Sequence, residues 1–227
     1  MSECQNCPNL GKFPFCRFSQ SAREFLDAEA VTIEYPKGNS IFCQGDRAAL
    51  YILCSGKVKL FTTSHDGRTA ILRIAQPGDV LGISPFLRGA NRHELTAEAL
   101  ERCRLQRFSR QSVVALLERF PDASLELARA FDRDYRSAYE DVRRIALPDS
   151  PAGRVARLLL DWSKENHVAP GAALIMPLTQ EELASMAATT RETISRTFSS
   201  FRKQHLISVH GVAVTIHDRK ALLDLCA

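Results

Sequence analysis

Short apolar runs separated by glycines fill residues 31–108, and this regularity constrains the fold more than any other feature. Four of the glycines follow one another at equal intervals of 11 residues: Gly45, Gly56, Gly67 and Gly78. Runs such as Val31–Tyr35 have the alternating, β-branched composition of strands. The dipeptides Ser55-Gly56 and Asp66-Gly67 are hairpin-turn signals. Many short, evenly spaced strands predict a sandwich or barrel of about eight strands.

A helical region follows at residues 109–147, and Pro121 divides it. Because proline fits the first turn of a helix, we expect a second helix to begin there. Apolar side chains recur along this second helix at spacings of 4, 3, 4 and 3: Phe131, Tyr135, Ala138, Val142 and Ile145. That spacing is typical of a helix packed along another helix. Charged residues flank the seam on both sides, which favours a two-fold dimer helix over a helix packed on its own β-domain.

The segment 148–151 contains two prolines and is the predicted domain boundary. After it we expect one helix and then two short helices joined by a tight turn. Thr179 and Glu182 form a Thr-x-x-Glu capping box at the start of the first short helix, and Thr190 is the expected N-cap of the second. Residues 206–216 have the pattern of two strands about a His-Gly turn. A hairpin after a helix-turn-helix is a wing.

The second short helix carries side chains that suit base recognition in the major groove of DNA. Its exposed face is predicted to present Arg191, Glu192 and Arg196. A guanidinium can donate two hydrogen bonds to guanine, and a carboxylate can accept one from cytosine. Other polar and basic residues complete the predicted DNA-binding set: Thr179, Thr190, Ser195, Arg202 and Lys203. The alternative is that Glu192 and Arg196 form only a surface ion pair, worth ~0.3–0.5 kcal/mol.

Composition excludes several other classes of protein. The chain has 227 residues, a net charge of +4 and 45% hydrophobic residues. It contains no apolar run of the ~18 residues that a membrane span requires, so we expect no membrane partner. The N-terminus lacks the basic and apolar runs of a secretory signal, so we expect a cytoplasmic protein. No nucleophile elbow, P-loop or His-Glu-x-x-His motif is present, so we do not expect an enzyme.

Three segments are similar to the Crp–Fnr family of bacterial transcription regulators: RETISR at 191–196, PGDVLG at 77–82 and ILCSGKVKL at 52–60. With the order of elements, the resemblance covers nearly the whole chain. It implies an α+β protein with a β-roll of the cyclic-nucleotide-binding type, a long dimerisation helix and a C-terminal winged helix-turn-helix. It also implies a homodimer that binds palindromic double-stranded DNA and has RNA polymerase as a partner.

The reader segment departs from the family pattern at two positions. Family members use the positions of Arg191, Glu192 and Arg196 for base contacts, which implies a half-site with a TGTGA-like or TTGA-like core. Fnr-type regulators usually have an apolar residue at the position of Arg191. The recognition helix of this chain is therefore closer to the cyclic-AMP receptor type, with an Fnr-like Ser195. Ala188 stands where the family commonly has glycine. Because a left-handed alanine costs about 1–2 kcal/mol, we expect a looser or differently shaped turn.

The resemblance implies two alternative inputs, and the first involves cysteines. The N-terminal arm is similar to the cluster-binding arm of Fnr-type oxygen sensors, which implies a four-iron four-sulfur cluster on Cys4, Cys7 and Cys16. Gln106 occupies the family position of the fourth ligand, so Cys103 and Cys54 are the candidates for it. The alternatives are a zinc or thiol-based redox site, and reduced cysteines without a cofactor. Taken singly, three cysteines are expected to be buried small hydrophobes: Cys43, Cys54 and Cys103.

The second input is a small ligand in the β-roll, where the candidate effector pocket comprises Gly82, Ser84 and Arg92. In the family's cyclic-nucleotide receptors a carboxylate holds the ribose, and an arginine about ten residues later holds the phosphate. The phrase of this chain that corresponds to the family's Gly-Glu-Leu is Gly82-Ile83-Ser84, which lacks the acidic residue, so cyclic AMP is not expected to bind. Arg92 is readily explained as a surface residue, and His65 and His93 are expected to be surface histidines rather than haem ligands.

The chain is predicted to contain a cysteine arm at 1–20, a β-roll sensor domain at 21–119, a dimerisation helix at 120–147 and a DNA-binding domain at 148–227. The predicted function is sequence-specific transcription regulation by a homodimer. A redox or oxygen signal, or a small ligand, would act at the N-terminal domain. The alternative is a ligand-binding module whose winged helix contacts proteins, and that alternative predicts no salt-dependent affinity for DNA.

Overall fold

A computed structural model describes residues 17–67, 69–146 and 150–226. The cysteine arm predicted to bind a cluster lies outside these residues. The chain divides into two compact units, of which the first comprises Met1–Asp66 with Leu72–Ser137 and the second comprises Gly67–Ile71 with Ala138–Ala227. No helix in the described ranges combines the length and the apolar character needed to cross a lipid bilayer.

Eight strands in the N-terminal half form two four-stranded sheets. They are β1 (Val31–Tyr35), β2 (Ser40–Phe42), β3 (Leu50–Ser55), β4 (Val58–Thr63), β5 (Thr69–Ala75), β6 (Val80–Leu81), β7 (Thr96–Ala99) and β8 (Cys103–Phe108). One sheet has the order β1-β8-β3-β6, and the other has the order β2-β7-β4-β5. In the first sheet β1–β8, β8–β3 and β3–β6 are antiparallel pairs, and in the second sheet β2–β7 and β7–β4 are antiparallel pairs. The β-roll of about eight strands is therefore confirmed.

The turn between β3 and β4 depends on Gly56. Its φ of +90° lies in the left-handed region, and an added Cβ would stand 2.7 Å from the carbonyl oxygen of Arg102. Only glycine fits this close approach without displacing the backbone. The strands on either side can therefore fill one core with buried apolar side chains that include Leu53, Val58, Leu60 and Leu105. Each such burial contributes about 1.5–3 kcal/mol.

Four helices accompany the β-roll: α1 (Gln20–Glu29), α2 (Ile83–Leu87), α3 (Arg110–Arg119) and α4 (Pro121–Ala146). The hydroxyl of Ser109 caps α3 by accepting a hydrogen bond from the N–H of Ser112 at 3.0 Å. Pro121 is the first residue of α4, as the sequence predicts. The inward face of α4 carries Ala123, Leu127 and Ala130, which pack in a second core with residues of α1, α3 and β3.

The second unit contains four further helices and a three-stranded sheet. Its elements are α5 (Pro151–Glu165), β9 (Ala173–Ile175), α6 (Gln180–Met186), α7 (Arg191–Lys203), β10 (Ile207–His210), β11 (Ala213–Ile216) and α8 (Arg219–Asp224). The sheet has the antiparallel order β10-β11-β9. The predicted two-stranded wing is present as β10 and β11. Strand β9, which the sequence pattern did not reveal, extends the wing sheet at its β11 edge.

Candidate DNA-reading site

Helix α6 begins at the predicted capping box. The N–H of Glu182 donates to the hydroxyl of Thr179 at 3.2 Å, and the N–H of Thr179 donates to the Glu182 carboxylate at 2.8 Å. Two N–H groups that lack partners within the helix are thereby satisfied. Three apolar residues then face the core, as predicted: Leu183, Met186 and Ala187. Thr179 therefore fixes where the first helix of the helix-turn-helix begins.

Helix α7 has one buried face and one exposed face. Thr190 caps it, because its hydroxyl accepts a hydrogen bond from the N–H of Thr193 at 3.2 Å. Ile194 and Phe201 are buried as predicted, Thr197 is buried with them, and Phe198 is half-buried. The exposed face carries the residues predicted to read DNA, namely Arg191, Glu192, Ser195 and Arg196, and continues with Arg202 and Lys203 in the last turn.

The carboxylate of Glu192 on this face is stabilised mainly by hydrogen bonds at the start of the helix. The pKa of Glu192 is lowered, first because its carboxylate accepts a hydrogen bond from its own backbone N–H and then because it accepts one from Thr190. The positive charges of Arg191 and Arg196 lower it further but contribute least. Both guanidinium groups remain at the exposed surface, where they could donate hydrogen bonds to bases or phosphates.

The turn between α6 and α7 is closed and left-handed. Ala188 has a φ of +46°. The N–H of Ala188 donates to the carbonyl of Ser185 at 3.2 Å, and the N–H of Thr189 donates to the carbonyl of Ala184 at 2.9 Å. These two bonds form a Schellman motif, the usual end of a helix before a left-handed residue. The prediction of a looser turn is therefore wrong, and the alanine adopts the conformation that usually favours glycine.

The outer side of α4 presents an apolar stripe. Its members are 42% (Phe131), 64% (Tyr135), 58% (Tyr139) and 63% (Val142) exposed. Ala138 is also exposed, whereas the side chain of Ile145 is not among those described. The sequence seam omitted Tyr139, although it lies one turn beyond Tyr135. Contiguous exposed apolar surface of this kind is typical of an interaction site.

The predicted effector residues lie near α2. Gly82 precedes α2 with a φ of +82°, and Ser84 is half-buried in its first turn. Arg92 is exposed, and its guanidinium donates to the carbonyl of Gly45 at 2.6 Å. His93 is buried, which corrects its prediction as a surface histidine. Its ring stacks on Phe42 at 3.7 Å between centroids.

The environment of His93 explains this correction. The N–H of Ala49 donates to its Nε2 at 3.2 Å, and burial lowers the pKa of the imidazole while Asp46 opposes that shift. A ring nitrogen that accepts from the backbone is not available to a metal. A Cβ on Gly82 would approach the ring to 2.9 Å, so the glycine makes room for the histidine.

The described cysteines differ from one another in exposure. Cys43 is exposed and Cys54 half-buried, so the expectation of burial is wrong for Cys43 and met in full only by Cys103. Burial raises the pKa of the Cys103 thiol, which donates to the carbonyls of Lys57 at 3.2 Å and Glu101 at 3.3 Å. These contacts describe the thiol without a metal, and Cys103 as a fourth ligand stays a prediction. Within the described ranges, no group of three or more His, Cys, Asp or Glu side chains is arranged to hold a metal ion.

A half-buried ion-pair cluster in the first unit was not predicted from the sequence. Arg73 on β5 lies 3.0 Å from Asp134 on α4 and 3.5 Å from Asp79, which follows the turn after β5. Burial raises the pKa of Asp134 to about 6, although the positive charge of Arg73 opposes the shift. No spacing rule connects these residues, because they meet only when the β-roll and α4 pack together.

Known proteins share these features along most of the chain. The cyclic nucleotide-binding domain matches residues 32–120, and the Crp-like helix-turn-helix domain matches residues 153–225. The CRP-like cAMP-activated global transcriptional regulator of Mycobacterium tuberculosis is 30% identical over 206 residues, which are 89% of this chain and 91% of that protein. The Cyclic AMP receptor protein of Thermus thermophilus is 30% identical over 192 residues, which are 84% and 86% of the two chains.

A solved structure, that of FixK2 from Bradyrhizobium japonicum, has the same fold with a TM-score of 0.76 and 23% identity. The match covers 87% of this chain and 98% of FixK2. A β-roll followed by a winged helix-turn-helix with a basic exposed face defines the class, a DNA-binding transcription regulator. The two relatives at 30% identity extend that likeness through both domains. The chain belongs to the Crp–Fnr family of transcription regulators.

Proposed function

We propose that two copies of this chain pair through α4 and read a palindromic DNA site with their two α7 helices. The observation that carries the dimer is the exposed apolar stripe on α4, which includes Phe131, Tyr135 and Val142. Pairing two such stripes about a two-fold axis would remove their aromatic and aliphatic surfaces from water. A two-fold dimer also matches a palindromic site, because each half-site then meets one recognition helix.

Arg191, Glu192 and Arg196 are the proposed base-reading residues. They occupy the first two turns of α7, the part of a recognition helix that reaches base edges. Arg202 and Lys203 lie at the other end of the helix, where a cation can meet a phosphate. Thr179, Thr190 and Ser195 are proposed to add hydroxyl contacts to the backbone or bases. The regulator would act in the cytoplasm together with RNA polymerase.

Comparing Arg196→Ala with Lys164→Ala tests this assignment. Lys164 is exposed in the last turn of α5, so its removal takes away the same charge outside the recognition helix. Both proteins would be titrated against a duplex selected from random DNA by the wild-type chain. We expect Arg196→Ala to bind about tenfold to hundredfold more weakly and Lys164→Ala to bind like the wild type. Equal, sequence-specific binding by all three proteins would refute the assigned role.

The signal is proposed to enter at the N-terminal half and to shift α4, which would reposition the two recognition helices. One candidate is a redox or oxygen signal at Cys4, Cys7 and Cys16, whose thiolates would hold an iron–sulfur cluster or zinc. Cys103 and Cys54, one buried and one half-buried, are the candidates for the fourth ligand. The other candidate is a small ligand of the β-roll near Ser84.

Purification without oxygen distinguishes these inputs. A cluster would give visible absorption and about four irons per chain, and both signals would fade in air. Bound zinc would give a colourless protein with metal in elemental analysis. A colourless, metal-free protein that also fails cluster reconstitution would exclude the metal-based inputs and leave either the small ligand or thiol oxidation.

A further inference from the structure

One arginine of α5 binds the turn that joins the two DNA-reading helices. The Nε of Arg154 donates to the carbonyl of Ala187 at 2.9 Å, and its Nη2 donates to the carbonyl of Ala188 at 3.2 Å. The planar guanidinium suits this task, because its N–H groups form a rigid fork that matches two adjacent acceptors. Both acceptors are backbone carbonyls of the turn, so the contact is internal to the protein.

The two carbonyls lie just beyond Met186, the last helical residue of α6. The last four carbonyls of a helix cannot bond within it. The Schellman motif satisfies the carbonyls of Ala184 and Ser185. The carbonyls of the C-cap residue Ala187 and of Ala188 follow Met186, and Arg154 supplies donors to both. The guanidinium therefore completes the cap that the backbone begins.

The turn also carries a conformational cost that these bonds offset. Ala188 has a φ of +46°, a left-handed conformation that is unfavourable for alanine. Hydrogen bonds from a charged donor are stronger than those between neutral groups. The two bonds from Arg154 to neighbouring carbonyls therefore help to hold the strained turn. Thr190, which caps α7, lies only two residues beyond Ala188, so any change in the turn moves the first turn of α7.

We propose that Arg154 is a positioning residue for sequence recognition. It sets the turn between α6 and α7, and thereby the approach of Arg191, Glu192 and Arg196 to the bases. This inference rests on the proposed function of α7. It predicts that loss of the fork reduces discrimination between sequences, whereas the sequence-independent attraction of basic residues to phosphates remains.

The variant Arg154→Met tests the proposal, because methionine keeps an unbranched apolar side chain and removes every donor. Its matched control is Lys164→Met, which makes the same kind of change at the exposed end of the same helix. The readout is the ratio of affinities for the selected duplex and a scrambled duplex. We expect the ratio to fall about tenfold in Arg154→Met, with unchanged affinity for the scrambled duplex, and to stay constant in Lys164→Met.

Two further variants keep the test decisive if Arg154→Met unfolds. Arg154→Lys retains the charge but offers no fork, so we expect it to fold and to lose part of the ratio. Ala188→Gly removes the left-handed cost, so adding it to either Arg154 variant should restore part of the lost ratio. A ratio that stays constant in both Arg154 variants would overturn the proposal. So would parallel losses of specific and scrambled binding, which would indicate a purely structural role.

Arg196→Ala separates failure of this inference from failure of the proposed function. If Arg196→Ala lowers the ratio while Arg154→Met and Arg154→Lys do not, α7 reads DNA but Arg154 does not position it. If Arg196→Ala also leaves the ratio unchanged, the assignment of α7 as the reader fails, and the positioning role fails with it. Thermal unfolding of each variant shows whether a loss of binding follows from loss of the fold.

Discussion

At Asp134, burial and the positive charge of Arg73 act on the carboxyl group in opposite directions. Its side chain is 29% exposed and lies 3.0 Å from Arg73, with Asp79 near the same guanidinium. Burial raises its pKa to about 6, so the folded chain takes up a proton more readily than the unfolded chain. The two carboxylates share one cation, and burial favours the protonated form of Asp134.

The free energy of unfolding should depend on pH through this carboxyl group. Between the unfolded pKa near 3.8 and the folded pKa of about 6, the folded state binds more protons. The Asp134 contribution to stability is therefore present at low pH and is lost as pH rises through this window. We expect the decline in Asp134→Asn to be smaller than in the wild type, as measured by urea unfolding at a series of pH values. Asp132→Asn, an exposed change on the same helix, should retain the full decline of unfolding free energy with pH. An identical dependence of that free energy on pH in all three proteins would contradict the assignment to Asp134.

Ser84 and Arg92 lead to a prediction about cyclic AMP. The phrase Gly82-Ile83-Ser84 provides no carboxylate for a ribose, and the Arg92 guanidinium already donates to the carbonyl of Gly45. We expect cyclic AMP to produce no saturable heat in calorimetry and no change in DNA affinity. The test is sharp because two relatives bear names that refer to cyclic AMP. A saturable response that Arg92→Ala abolishes would show that the arginine leaves Gly45 to hold the phosphate.

At the level of elements, the exposed apolar stripe of α4 leads to a prediction about dimerisation. Tyr135 is 64% exposed, so a charge there should not disturb the monomer. In a dimer seam the same charge would be desolvated, so Tyr135→Glu should weaken dimerisation by at least about tenfold. Arg136→Glu introduces the same group about 100° around the helix, away from the stripe, and should leave the dimer intact. Sedimentation equilibrium measures both variants, and a stable Tyr135→Glu dimer would exclude the stripe as the interface.

The sequence predicts elements well where a local rule applies. Strand β1 matches the predicted run Val31–Tyr35, α4 begins at Pro121, and the capping box locates α6. Each of these depends on neighbours within a few residues. Strand β9 was missed because it has only three residues and owes its existence to pairing with β11.

Parts of the candidate site could not be predicted because they depend on packing between distant segments. Arg154 reaches the turn only when α5 lies against it, and Arg73 meets Asp134 only across the β-roll and α4. His93 becomes buried because Phe42 and Ala49 enclose it. The exposed face of α7 could be predicted, since its periodicity and its N-cap are local. The sequence therefore defines the DNA-reading surface of the regulator better than it defines the signal that the regulator senses.

At the scale of the whole molecule, the proposed regulator joins a sensor, a dimer helix and a reader in one chain. The family's domains account for residues 32–120 and 153–225, and α4 occupies most of the interval between them. A change in the β-roll that shifts α4 would move the two α7 recognition helices together, because both α4 helices would form the proposed dimer interface. Binding of DNA should then respond to the signal through the geometry of the pair rather than through the affinity of one reader.

Half-site spacing tests the pairing of two readers most directly. The wild-type chain would be titrated against its selected palindromic duplex and against a variant with about five base pairs inserted at the centre, which turns one half-site by half a helical turn. We expect two chains per duplex on the selected site and a loss of most specific affinity after the insertion. One chain per duplex, with equal affinity for both duplexes, would contradict the paired arrangement.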